Sequence, residues 1–186
     1  MTSIPCSINL HPSEIRVGDT GYAKTNGQVG RLIRIGERIK FHHTTYNHVF
    51  TVVKAGDTYD SILVVQATPV HGIILSRFSE ISDAAELVTV LHPPVNCDPT
   101  KVAEFANDQL GDPYGLLTIA CIAIDVLTPE WFVAFRRPGS WICSALGGEA
   151  LRFGGFYIDL GDIYTVTPQQ LFDAHSAALE NVTPLR

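Results

Sequence analysis

The residues of this chain best suited to chemistry are a thiol, an imidazole and a neutral amide. Cys143 sits in the run Pro138-Gly139-Ser140-Trp141-Ile142-Cys143-Ser144-Ala145-Leu146-Gly147-Gly148-Glu149-Ala150-Leu151-Arg152. Proline and glycine stop the preceding element, and Ser140 is a good N-cap whose hydroxyl accepts from a first-turn N–H. Cys143 then becomes the third helical residue. A thiolate there faces unpaired N–H groups and the positive end of the helix dipole, which favour its charged, nucleophilic form. The competing reading is a buried structural cysteine, since reduced cysteine is among the most buried residue types. Gly147 and Gly148 weigh against an ordinary helix. A helix-interior glycine costs about 1 kcal/mol relative to alanine, so something must pack close there. Ile142, Leu146 and Phe153 form the expected core face, and Gly154-Gly155 ends the helix.

A thiol nucleophile needs a base, and the base needs a third group to hold its tautomer and orientation. Of the seven histidines, His48 stands out because it begins the apolar run Val49-Phe50-Thr51-Val52-Val53. An imidazole there can project off the strand end toward a helix N-terminus. Gln66 interrupts the run Ile62 to Ala67 one residue before its end. A neutral amide on a strand beside the histidine strand suits the orienting role; an amide satisfied by sheet-edge backbone is the plainer alternative. His71 is the rival third member. His42 and His43 sit in a polar loop without Asp, Glu or Cys at ligand spacing, so no metal site is expected.

The elements that must carry these residues follow from pattern. Val17-Gly18-Asp19 reads as a turn leading into a short strand through Ala23, and Val29 to Lys40 as a helix. Tyr46–Lys54, Ser61–Ala67 and Val70–Leu75 are rich in β-branched and aromatic residues and close enough in sequence for an antiparallel meander. Leu87–Leu91 is a fourth strand before Pro93-Pro94. Asp98-Pro99 starts a helix with the stripe Val102, Phe105, Ala106 and Leu110, closed by Gly111. Gly115–Val126 reads as a buried helix, and Trp131–Phe135 is apolar and ambiguous. Phe156–Ile158 and Ile163–Val166 are expected as short strands, and Thr167 with Gln170 as the capping box of a last helix. The class is α+β: a small, mostly antiparallel sheet with helices packed on it.

Composition bounds the rest. At 186 residues and 46% hydrophobic content, one domain over residues 1–186 is expected, and 17% charged residues imply extensive burial. A net charge of −6 argues against nucleic acid or an anionic membrane as the main partner. Cys6, Cys97, Cys121 and Cys143 are widely and irregularly spaced, which fits neither zinc patterns nor a disulfide framework. Residues Met1 to Leu10 lack a basic region followed by an apolar run, and Leu116–Leu127 is too short to span a bilayer. A soluble cytoplasmic protein without an integral membrane segment is the expectation, with signal-independent export or a place in a virion as alternatives.

Taken together, these motifs resemble the NlpC/P60 family, papain-like cysteine peptidases and amidases. Its members carry Gly-x-Pro-Tyr before a helix with Cys-Ser near its start, then His-Val at the head of one strand and a polar residue plus Ala at the end of the next. Here Asn47-His48-Val49 and Val65-Gln66-Ala67 come first, and Gly111-Asp112-Pro113-Tyr114 and Cys143-Ser144 last. That order is similar to the circularly permuted branch, which includes YiiX/YaeF-like proteins and the lecithin:retinol acyltransferase group. Val17-Gly18-Asp19 also matches the Gly-Asp that opens a barrel strand there, and the likeness covers roughly residues 17 to 170. The resemblance implies a permuted papain-like fold, with a small sheet or partial barrel packed on helices. It implies Cys143 as nucleophile, His48 as base and later acid, and Gln66 as orienting residue. Tyr114 would stabilise the oxyanion with the Cys143 backbone N–H, and Ser144 would lie beside substrate. Where the family commonly has Asp-Cys-Ser, this chain has Ile142-Cys143-Ser144. The activity implied is amide hydrolysis through a thioester, without cofactor, on a small peptide such as a peptidoglycan peptide of bacterial or phage context. An acyl-lipid or thioester hydrolase or acyltransferase is the second reading, with Gly115–Val126 and Trp131–Phe135 walling an acyl pocket. A non-catalytic binding or structural protein on the same scaffold is the third.

Overall fold

The computed structural model describes residues 7–25, 44–115, 141–157 and 161–180. Within them the chain is α+β. Six strands form one mixed sheet: β1 (Ser7–Ile8), β2 (Thr20–Thr25), β3 (His48–Lys54), β4 (Leu63–Thr68), β5 (Gly72–Arg77) and β6 (Ala85–Leu91), in the order β1-β6-β2-β3-β4-β5. The two-residue β1 runs parallel to β6, and every other pairing is antiparallel. The helices are α1 (Phe78–Ala84), α2 (Pro99–Asp108), α3 (Cys143–Phe153) and α4 (Pro168–Glu180).

Strands β3, β4 and β5 form the expected meander, and their alternation sorts side chains onto two buried faces. Val49, Val65, Ala67 and Ile73 join Tyr22 on the face that meets α2 and α3. Phe50, Val52 and Val64 join Ala23, Val88 and Val90 on the other, covered by Phe78 and Ile81 of α1. The Phe50 ring lies over Gly21, its cross-strand partner, where a Cβ would collide with it. With both faces covered, the strands read as near-continuous apolar runs.

The two helix starts with good caps behave as their sequences dictate. Asp98 accepts from Thr100 N–H at 2.9 Å and Lys101 N–H at 3.4 Å, with Pro99 as the first helical residue. Thr167 and Gln170 exchange both bonds of a capping box, at 3.0 and 3.2 Å. Helix α4 is then pinned from inside. The His175 ring is fully buried; its Nε2–H donates to the His92 carbonyl at 3.0 Å, and Nδ1 lies 3.0 Å from the Tyr22 hydroxyl. Phe172 packs its ring on Tyr22 and Tyr46.

Some expectations are corrected. Ile163–Thr165 is a 3-10 turn, because the Asp162 carboxylate accepts from Tyr164 N–H at 3.1 Å and closes the chain into a turn. Phe156 and Tyr157 are irregular rather than strand. Cys143 is the first helical residue, not the third; Ile142 occupies the N-cap and supplies no side-chain bond. Phe153 is 55% exposed at the helix end instead of facing the core. Helix α1 has no clear sequence pattern, since its seven residues bury only Phe78, Ile81 and Ser82. The expected helix over Val29–Lys40, His42, His43, Ser140, Ile158 and Trp131–Phe135 lie outside the described residues, as does the expected Gly115–Val126 helix beyond Gly115. Among the described residues, no helix is long and apolar enough to cross a membrane.

Candidate functional site

The strand head that carries the imidazole is fixed by its neighbours, and the ring itself is bonded to Gln66. Asn47, buried immediately before β3, accepts on Oδ1 from the Thr25 N–H at 2.9 Å and from its hydroxyl at 3.1 Å, and donates from Nδ2 to the Thr25 carbonyl at 2.8 Å. This clamps the head of β3 to the end of β2. Gln169 of α4 accepts from the N–H groups of Thr45 and Tyr46 at 2.8 and 3.2 Å, fixing the approach to the strand. His48 is then the first residue of β3, half-buried. Its Nε2 lies 2.7 Å from Gln66 Oε1, and the Gln66 Nε2–H donates to Ser76 Oγ at 2.8 Å. The register explains the contact: Gln66 is opposite Phe50, so His48, two residues back, is its diagonal neighbour on the same face.

With Oε1 as acceptor, the proton of the neutral ring sits on Nε2 and the lone pair on Nδ1. Burial holds the His48 imidazole below its usual range, and the bond from Gln66 works in the opposite direction. A base kept neutral near pH 7 is what proton abstraction from a thiol requires. His71 sits exposed in the β4–β5 turn, its backbone N–H on Thr68 Oγ1 at 3.3 Å. The partner of the His48 ring is therefore Gln66.

The thiol stands at the first residue of helix α3. Cys143 is 4% exposed and belongs to the core formed with Val49, Val65, Ala67 and Ile73. The first helical bond runs from Leu146 N–H to the Ile142 carbonyl at 3.0 Å. The residues at the helix start therefore direct N–H groups that no capping side chain takes. One turn on, Gly147 lies against β3 so closely that a Cβ would stand 2.7 Å from Val49 Cγ1. Gly148 lies closer still to the end of the Ile163 side chain. The small residues noticed in the sequence are thus the seat of the helix on the histidine strand.

Tyr114 and Cys143 are distant in sequence, yet the backbone joins them. Trp141 N–H donates to the Pro113 carbonyl at 3.1 Å, Gly115 N–H donates to the Trp141 carbonyl at 3.0 Å, and the Trp141 indole N–H reaches Asp112 at 2.9 Å. On its other side the same loop is bonded to β5: Ile73 N–H donates to the Asp112 carbonyl at 2.9 Å and Gly111 N–H to the Ile73 carbonyl at 3.0 Å. Tyr114 is consequently stapled beside the start of α3. Burial raises its phenol well above the ordinary range, and a negative charge on Cys143 raises it further. The phenol stays protonated and able to donate.

Ser144 has another task. Its hydroxyl donates to the Val166 carbonyl at 2.6 Å and is buried, so its hydrogen is spent within the fold. The expectation that it lies beside substrate gives way to a role in fixing the first turn of α3 against the segment before α4.

The structure thus brings together His48 with Gln66, and Cys143 with Tyr114, and seats the cysteine helix on the strand that His48 begins. Ser76, Asn47 and Gln169 were not picked out as site residues. Ser76 shares a face of β5 with Ile74, but only strand register reveals that it faces Gln66. Among the described residues, no group of three His, Cys, Asp or Glu side chains converges as a metal site would require. Compared with known proteins, the chain matches no family model and no curated sequence.

Proposed function

We propose that this chain is a cysteine hydrolase of amide bonds on a circularly permuted papain-like scaffold of NlpC/P60 type. The observation that carries the reading is the His48–Gln66 bond of 2.7 Å, which presents Nδ1 as the basic nitrogen at the head of the strand on which the cysteine helix is seated. Alternation turns Val49 toward α3 and His48 toward the face of Phe50 and Gln66. His48 is the first residue of β3, and the reading requires its ring to reach the thiol around the open end of the strand rather than through the sheet.

In this mechanism His48 Nδ1 takes the Cys143 proton as sulfur bonds to the carbonyl carbon. The Tyr114 hydroxyl and the N–H groups at the start of α3 stabilise the oxyanion. The C–N bond breaks as the imidazolium protonates the leaving amine. Water, giving its proton to His48, then attacks the thioester; the C–S bond breaks, the acid leaves and the thiol is restored. Gln66 holds the ring throughout. The substrate class that the resemblance favours is a small peptide, a peptidoglycan peptide first.

The test is the thiol. At neutral pH an iodoacetamide-type reagent should label Cys143 about tenfold or more faster than Cys6, Cys97 or Cys121, and His48→Ala should remove that advantage. Equal labelling of all four would leave a non-catalytic protein on this scaffold. Turnover of muropeptides supports the amide reading, and turnover restricted to p-nitrophenyl esters of long acyl chains replaces it with an acyl hydrolase.

A further inference from the structure

We propose that Ser76 is a positioning residue of the site, acting on the His48 ring through the Gln66 amide. This rests on the hydrolase reading above. The three side chains run diagonally across β3, β4 and β5 on one face, with His48 Nε2 to Gln66 Oε1 at 2.7 Å and Gln66 Nε2 to Ser76 Oγ at 2.8 Å. The register makes this regular: Gln66 stands opposite Phe50 and Ile74, while Ser76 stands opposite Val64, so Ser76 is the diagonal neighbour of Gln66 on one side as His48 is on the other.

Ser76 is 6% exposed, and Phe50 and Val64 beside the amide are buried hydrocarbon without an acceptor. A glutamine amide has a nearly free last torsion, so its orientation is set by whatever its two ends meet. With Nε2 given to Ser76, Oε1 faces the imidazole, the ring proton stays on Nε2 and Nδ1 keeps its lone pair. A reversed amide would point NH2 at His48, move the ring proton to Nδ1 and disable the base. Without the hydroxyl, the half-buried amide N–H loses its partner and turns to find another acceptor.

Four proteins labelled with 15N-histidine decide this: wild type, Ser76→Thr, Ser76→Val and Ser76→Ala. Threonine and valine are near-isosteric, so that pair differs only in the hydroxyl, and either the pair or the alanine variant suffices if another fails to fold. Wild type and Ser76→Thr should show His48 as the Nε2–H tautomer and Cys143 alkylation within about twofold of each other. Ser76→Val and Ser76→Ala should show a mixed tautomer and alkylation slowed about tenfold, the worth of one ordinary hydrogen bond. A single Nε2–H tautomer in all four proteins, or Nδ1–H in wild type, overturns the assignment. Alkylation unaffected by His48→Ala overturns the hydrolase reading instead, and the tautomer comparison still decides the role of Ser76.

Discussion

Replacing Gly147 by alanine sets a methyl carbon 2.7 Å from Val49 Cγ1. Two carbons are at rest near 3.5–4.0 Å, so the contact is about 1 Å too short. The next neighbour, Leu171 Cδ2 at 3.7 Å, is in ordinary contact and need not move. Val49 is fully buried and β-branched, so turning its side chain away displaces other core atoms. Overpacking of this kind costs roughly 1–3 kcal/mol, and alanine returns about 1 kcal/mol of helix propensity. The expected net loss is therefore up to about 2 kcal/mol, read as a lower midpoint in urea unfolding. The consequence for the site is larger than that figure suggests. Cys143 is one turn before Gly147 on the same face, and His48 is next to Val49, so relief by lifting α3 widens the gap between sulfur and imidazole. Cys143 alkylation should fall about tenfold in protein that is still folded, since an ångström of misplacement is costly at such sites. Adding Val49→Ala removes Cγ1 and should restore the rate. Gly148→Ala, which meets the flexible end of Ile163, should disturb the rate much less. A Gly147→Ala protein that is more stable than wild type and alkylates at an unchanged rate would refute the idea that the helix is seated on β3 at this point.

Two further outcomes follow from buried polar groups. Burial holds His175 down to about 4 from 6.5; donation to the His92 carbonyl opposes the shift and charge on His92 adds to it. The native protein thus binds fewer protons than the unfolded chain between these values, so this stabilisation is complete above pH 6.5 and disappears as pH falls toward 4. At most it amounts to about 3 kcal/mol, and His175→Gln should show a flatter fall in stability over that window by urea unfolding at stepped pH; an unchanged slope would rule it out. Asn47→Ala removes three bonds to Thr25 and should cost about 2–3 kcal/mol in the same assay, whereas a change below about 0.5 kcal/mol would show that the clamp at the head of β3 is not needed.

Local rules placed much of this molecule. The β-branched runs determined the meander, Asp98-Pro99 and Thr167–Gln170 determined two helix starts, and the paired glycines after Cys143 announced a close approach, because each of these depends on neighbours within a few residues. His48 at a strand head and Gln66 near a strand end were readable for the same reason. Local rules also misled where a distant contact dominates. Ile163–Val166 has strand composition, yet the turn closed by Asp162 and the Ser144 bond to Val166 shape it otherwise. Phe153 follows the helical stripe, but at the end of α3 it rests only on the edge of the core beside Phe105 and stays 55% exposed.

Only the tertiary structure decided which groups touch. That Gln66 rather than His71 holds the imidazole depends on a register between strands, and a slip of one residue would turn Gln66 to the other face. That Tyr114 stands beside Cys143 depends on two backbone bonds between Pro113–Gly115 and Trp141, across a separation that no periodicity spans. Sequence pattern specifies the conformation of each segment because the forces there are short-range along the chain. It cannot specify which polar side chains meet, because that is settled by how the buried faces of separate segments pack.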